Sequence, residues 1–191
     1  MKIAVASSGL GHVARGIETW ARDTAVALSQ FSIEGGVFRE DDPGHVSQPA
    51  DGPVKVTLFC AAPLPGLASE AQHLDVRVLP CLKRGDWLTR LLVRAAPGFT
   101  WRWGWKSEYD MEQRSFWRHL WPVLRDEQFD ILHVQDPLLA DLCRRYRACG
   151  KLKTKEILAH GTEESVEFLA RFQYVQHLAP WHLEETMKAL R

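Results

Sequence analysis

Three polar corners in this 191-residue chain carry residue types that bind and orient ligands. The first is Ser7-Ser8-Gly9-Leu10-Gly11-His12-Val13-Ala14-Arg15-Gly16. It follows the apolar run Ile3-Ala4-Val5-Ala6 and leads directly into a helical pattern. Glycine lets backbone approach a ligand closely, and the first N–H groups of a helix have no internal partners. A strand, glycine turn and helix start in that order therefore hold anions. The spacing Gly9, Gly11, Gly16 differs from the dinucleotide fingerprint, whose third glycine comes sooner, and a plain chain reversal is the alternative reading. The second corner is Gln135-Asp136-Pro137. Gln135 hydrogen-bonds hydroxyls but cannot shuttle protons, while Asp136 either binds a hydroxyl or caps the helix that Pro137 begins. The third is His160-Gly161-Thr162-Glu163-Glu164, where His160 either projects into a cleft or bonds a neighbouring carbonyl. Thr162, Glu163 and Glu164 either join that cleft or cap a short helix near Ser165.

The elements that must position these corners follow from periodicity. Gly16 to Gln30 has a helical apolar face through Ile17, Trp20, Ala21, Thr24, Ala27 and Leu28. Phe31 to Pro53 is polar and rich in Gly, Asp and Pro, a long loop of a kind that is often functional. Val54–Cys60 and Asp75–Pro80 read as strands, Leu67–His73 as a short helix, and Leu82–Ala96 as a helix stopped by Pro97-Gly98. Glu108–Glu127 is helical, with Met111, Phe116, Leu120 and Leu124 inward and Pro122 as a kink point. Phe129–Val134, Lys155–His160 and Tyr174–Ala179 are strands, Leu138–Cys149 and Ser165–Arg171 helices, and Pro180-Trp181 opens a last helix. Strands alternating with helices predict an α/β fold, a Rossmann-like doubly wound and mostly parallel sheet flanked by helices. Ligands in such sheets collect at the carboxyl ends of the strands, where all three corners fall.

Composition narrows the class. Apolar content of 46%, charge of 25% and zero formal charge suit one globular domain and point to no nucleic-acid partner. Cys60, Cys81, Cys143 and Cys149 have no CxxC spacing and sit in or beside apolar segments, which reads as reduced core thiols in a cytoplasmic protein. The expectation includes no signal peptide, no spanning segment, no metal and no cofactor.

The middle of the chain is different. From Lys83 to Arg125 nine basic residues face four acidic ones, interleaved with Trp87, Trp101, Trp103, Trp105, Trp117 and Trp121. Trp87, Leu88, Leu91, Leu92 and Ala95 share a helical face, with Arg90 and Arg94 off it. Three readings are open: a helix and loop packed on the sheet, aromatic platforms for a sugar ring at Trp101, Trp103 and Trp105, or docking on an anionic membrane surface.

The ordered corners resemble the N-terminal domain of retaining glycosyltransferases of the GT-B type, family 4. Arg15-Gly16-Ile17-Glu18 is similar to that family's Gly-Gly-Ile/Val-Glu, with arginine in place of one glycine. Phe129 to Pro137 (Phe-Asp-Ile-Leu-His-Val-Gln-Asp-Pro) is similar to its Asp-Val-Leu-His-Ile-His-Glu-Pro segment, with Gln135 where the family has histidine. Ile157 to Gly161 is similar to its strand ending in His-Gly, and Tyr174 to Pro180 to its last N-domain strand. The resemblance implies transfer from a nucleotide-diphosphate sugar, with retention, to a sugar or lipid-linked acceptor. Donor phosphate falls to Gly11, Arg15 and Gly16. His12, Gln135, Asp136, His160, Gly161, Thr162, Trp101 and Trp103 fall to the acceptor, and Gln135 and His160 are the candidates nearest the reaction. Residues 1–180 correspond to the N-terminal domain and 181–191 to a helix leading to a donor-binding half, which these residues do not include. The isolated chain is then expected to be inactive, in the cytoplasm or at the inner face of the membrane. The alternative is a non-catalytic binding module or a partner subunit of a split enzyme. A nicotinamide-dependent oxidoreductase fits less well, since Leu58-Phe59-Cys60 has no acidic residue for a ribose.

Overall fold

A computed structural model describes residues 1–13, 16–30, 54–65, 67, 74–95, 107–161 and 164–189. The strands are β1 (Lys2–Ala6), β2 (Lys55–Cys60), β3 (Asp75–Val78), β4 (Ile131–Val134), β5 (Lys155–His160) and β6 (Val175–His177). The helices are α1 (Gly16–Gln30), α2 (Trp87–Ala95), α3 (Glu108–Asp126), α4 (Pro137–Ala148), α5 (Val166–Leu169) and α6 (Pro180–Ala189). All six strands are parallel, in the order β3-β2-β1-β4-β5-β6. This is a Rossmann-like doubly wound sheet. Its strand order reverses between β1 and β4, the switch point at whose carboxyl ends sheets of this kind bind ligands.

Both faces of the central strand are apolar because both are covered. Ile3 and Val5 of β1 join Val56, Leu58, Ala21 and Ala25 beneath α1. Ala4 and Ala6, one pleat away, face Phe59, Phe116, Leu120, Leu132 and Leu139 beneath α3 and α4. The edge strand β3 carries Arg77, which pairs with Asp75 and Glu127, so charge guards an otherwise open ladder.

Several boundaries differ from those read in the sequence, and α2 differs most. It starts at Trp87 instead of Leu82 because residues 82–86 are tied to α3. The Leu82 N–H donates to Ser115 Oγ (2.8 Å), the Arg84 N–H to Glu112 Oε2 (2.9 Å) and the Gly85 N–H to Glu108 Oε2 (2.9 Å). Its apolar face is not packed on the sheet. Thr89 is the buried residue, while Trp87, Leu88 and Leu91 are 75%, 41% and 51% exposed. The helix at Glu108 begins with a Ser107 cap (Asp110 N–H to Oγ, 3.0 Å) and runs unbroken through Pro122. Ser165 likewise caps α5, which is only one turn long. Cys60 and Cys143 are buried and Cys81 half-buried, but Cys149, just past α4, is exposed and not a core thiol. The loop Phe31–Pro53 lies outside the described residues, as does the short helix Leu67–His73 apart from its buried Leu67.

Candidate functional site: the rim at the carboxyl ends of β1, β4 and β5

The three corners meet along one rim. The Ser8 N–H, just past β1, donates to Asp136 Oδ2 at 2.8 Å, joining the first corner to the second. The Tyr109 hydroxyl donates to Asp136 Oδ1 at 2.7 Å. Asp136 occupies the N-cap position of α4 but makes no side-chain cap; at 1% exposure it spends both oxygens inside the fold. Burial raises its carboxyl above the usual range, opposed by the hydrogen bonds from Ser8 and Tyr109. The second corner meets the third through a missing side chain. A Cβ on Gly161 would fall 2.4 Å from Gln135 Nε2 and 2.9 Å from Leu178 Cδ1, so a larger residue would push those side-chain ends away. At this rim the buried Ser7 Oγ and Gln135 Oε1 have no hydrogen-bond partner among the described residues. Buried polar atoms are rarely left so without a ligand, water or strain to explain them.

Beneath the glycine turn lies a second constellation, built around Glu112 of α3. Its side chain is fully buried. It accepts from the His12 ring at Nε2 (2.8 Å), from the Ser8 hydroxyl (3.3 Å) and from the Arg84 N–H (2.9 Å). The Arg84 Nε stands 2.9 Å from Glu112 Oε1, and its Nη2 3.5 Å from Glu18 Oε1. The same guanidinium lies 4.5 Å from the centre of the Tyr109 ring. Burial pulls the Arg84 pKa down and the Glu112 charge lifts it, leaving it above the ordinary arginine value. A Cβ on Gly9 would come 2.1 Å from Glu18 Oε1 and 2.7 Å from Arg84 Nη2, so a larger residue would displace these charged ends from where they meet. With His12 Nε2 committed to Glu112, Nδ1 is left buried without a partner, as is Glu18 Oε2.

Two clefts flank the rim. One, of about 440 Å³, is bordered by Gly11, His12, Glu18, Thr19 and Arg22. Gly16 opens α1 nearby, and a Cβ there would meet nothing within 4 Å, so no side chain crowds that helix start. The other, of about 320 Å³, lies between the end of β5 and α6, lined by His160, Glu164, Ser165, His182 and Glu185. His160 is 5% exposed, its Nδ1 3.2 Å from His177 Nδ1, with the His182 ring centre 4.6 Å away. Two ring nitrogens at that distance share one hydrogen, so one imidazole donates and the other accepts. Burial first, then the nearby His182 charge, holds His177 below the usual imidazole value. Among the described residues no group of three His, Cys, Asp or Glu is arranged to hold a metal ion.

The structure therefore places Gly11 and His12 at the first cleft, with Gly16 two residues before its Glu18, and Gln135, Asp136, His160 and Gly161 along the rim. Arg15, Thr162, Trp101, Trp103 and Trp105 lie outside the described residues. His133 belongs to the packing: its Nε2 is 2.7 Å from Gln176 Oε1 and its ring meets Trp20 edge-on at 4.9 Å. Reading the sequence missed Glu112, Arg84 and Tyr109. For Glu112 a signal existed, since its spacing to Phe116 and Leu120 places a carboxylate on the inward face of α3. No helix among the described residues is long and apolar enough to cross a membrane. Comparison of the chain with family models, with curated proteins and with solved structures finds no match.

Proposed function

We propose that this chain is the acceptor-side half of a nucleotide-sugar-dependent glycosyltransferase similar to GT-B enzymes of family 4. It would act with retention once completed by a donor-binding half in the same or another polypeptide. The observation that carries this reading is the convergence of the three corners on one rim, where the buried Ser7 Oγ and Gln135 Oε1 have no hydrogen-bond partner among the described residues. A sugar hydroxyl both donates and accepts, so a ring edge in the second cleft can meet the imidazole of His160, which lines it. Donor phosphate is assigned to the N–H groups at the start of α1 near Gly11 and Gly16, with Arg15 as a bidentate clamp. Glu18 does not forbid an anion there, because Arg84 stands beside its carboxylate. Glu112 fixes the His12 ring by holding Nε2, so the imidazole borders the first cleft in one orientation. The reading needs no metal and no resident cofactor.

A specific observation favours the non-catalytic alternative, a partner subunit that presents an acceptor. Helix α6 buries none of its described residues and exposes Trp181, Leu183 and Met187 by 61%, 49% and 50%, a surface suited to a second body. Titration of the ¹⁵N-labelled chain with UDP, ADP, inorganic pyrophosphate and UDP-glucose tests the main reading. Weak, base-independent shifts at Gly11, His12 and Gly16 are expected, with UDP-glucose also moving Gln135 and Gly161. Tight, base-selective nucleotide binding would overturn the division of labour, and an unmoved rim would overturn the transferase reading.

A further inference from the structure

We infer that the outward face of α2 docks the protein on an anionic lipid bilayer. At about 3.6 residues per turn, Arg90, Arg94, Trp87, Leu91 and Leu88 follow one another around the outward arc. Thr89, wholly buried, marks the opposite side. Trp87 at 75%, Leu88 at 41% and Leu91 at 51% are among the most exposed large apolar side chains of the molecule, and three of them share one nine-residue helix. Among the described residues nothing covers that stripe.

The charges beside the stripe choose its partner. The helix Trp87–Ala95 contains no acidic residue, and its two arginines both lie along one flank of the apolar arc. Arg94 is exposed and has no ion-pair partner among the described residues. Arg90 is 57% exposed at its side chain and stands 4.0 Å from Glu108 Oε1, while Oε2 of that carboxylate is occupied by the Gly85 N–H. Lys83 adds a third positive charge just before the helix, and Asp86 one negative charge at its start. An apolar wedge edged by guanidinium groups matches the boundary between acyl chains and lipid phosphates. Tryptophan is at home there, and arginine grips phosphate oxygens in pairs. The helix is also held in place before any lipid arrives. The Gly85 N–H is fixed to Glu108, and the Arg90 N–H closes the first turn on the Asp86 carbonyl at 3.0 Å. Binding therefore does not have to fold the helix, in contrast to a segment that orders only on the membrane. This inference does not depend on the glycosyl-transfer reading.

Sedimentation of the full chain with phosphatidylcholine vesicles, with and without about 30 mol% phosphatidylglycerol, tests it. The protein is expected to pellet with the anionic vesicles, at least about tenfold less with neutral ones, and less as salt is added. L88D/L91D removes binding, R90E/R94E lowers it at least about tenfold, and R90K/R94K keeps it within about threefold. All three should melt like the parent, because the replaced side chains are exposed. Trp87→Ser serves as the apolar variant if L88D/L91D melts lower. A parent chain that stays in the supernatant with anionic vesicles at low salt overturns the inference. So does vesicle binding that the apolar variants leave intact. Self-association or capture of a protein partner that L88D/L91D abolishes, without vesicle binding, gives the face to protein instead and also overturns it.

Discussion

Replacing Glu112 by alanine probes the constellation on which the first cleft rests. The side chain is fully buried, and its removal strips acceptors from His12, the Ser8 hydroxyl and the Arg84 N–H at once. Of its two carboxylate partners Arg84 would keep the more distant, Glu18 at 3.5 Å, beside the Tyr109 ring. Breaking one side of a buried ion pair costs roughly 3–5 kcal/mol. Because the Arg84 side chain is 18% exposed and retains Glu18, the lower end applies, about 3 kcal/mol. For a domain of this length that corresponds to a fall in Tm of about 6–12 °C. Thermal and urea unfolding followed by circular dichroism read the change. A cycle with Arg84→Met separates the pair from its surroundings, because removing both charges leaves no stranded partner. The coupling between the two sites should be at least about 1.5 kcal/mol. A Glu112→Ala melting temperature within about 2 °C of the parent, or single-site effects that add to within about 0.5 kcal/mol, would refute the assignment of Glu112 as the organising charge.

Two other measurements follow from the same geometry. Burial, opposed by the bond to Gln176, holds His133 below the usual imidazole value. Below about pH 6.5 the unfolded chain takes up a proton that native His133 declines, so stability falls as pH drops. That loss, measured by urea unfolding at pH 7.5 and 5.5, should shrink in His133→Gln; an unchanged pH slope would show that His133 is already charged in the fold. Burial pushes the Cys60 thiol up to about 11 and the Cys81 thiol, with help from the Glu112 charge, up to about 12. Buried Cys143 is raised as well, while Cys149 is exposed. Ellman's reagent at pH 7.5 should therefore modify Cys149 promptly and the other three only on unfolding; fast reaction of two or more thiols in the native state would contradict the packing.

Local chemistry in the chain determined the kind of fold and the places where ligands would gather. Short β-branched and apolar runs such as Lys55–Cys60 and Lys155–His160 form strands in any sheet of this class, and the helices between them force parallel pairing. Gly9, Gly11 and Gly161 marked the turns; at Gly11 a φ of 95° and the Ala62 carbonyl, 2.4 Å from where a Cβ would sit, exclude other residues. Tertiary structure decided what those turns enclose. Glu112 and Arg84 lie 100 and 72 positions from His12 in the chain, and only packing of α3 against β1 brings them under the turn. A side chain's local pattern reports which face it occupies, not which distant charge waits on the far side. For the same reason the sequence placed Trp87, Leu88 and Leu91 together on one helical face, but only the anchoring of residues 82–86 to α3 turned that face outward. Asp136 could be read as a cap or as a sugar ligand until the Ser8 N–H and the Tyr109 hydroxyl, from elements far apart in the chain, took both of its oxygens.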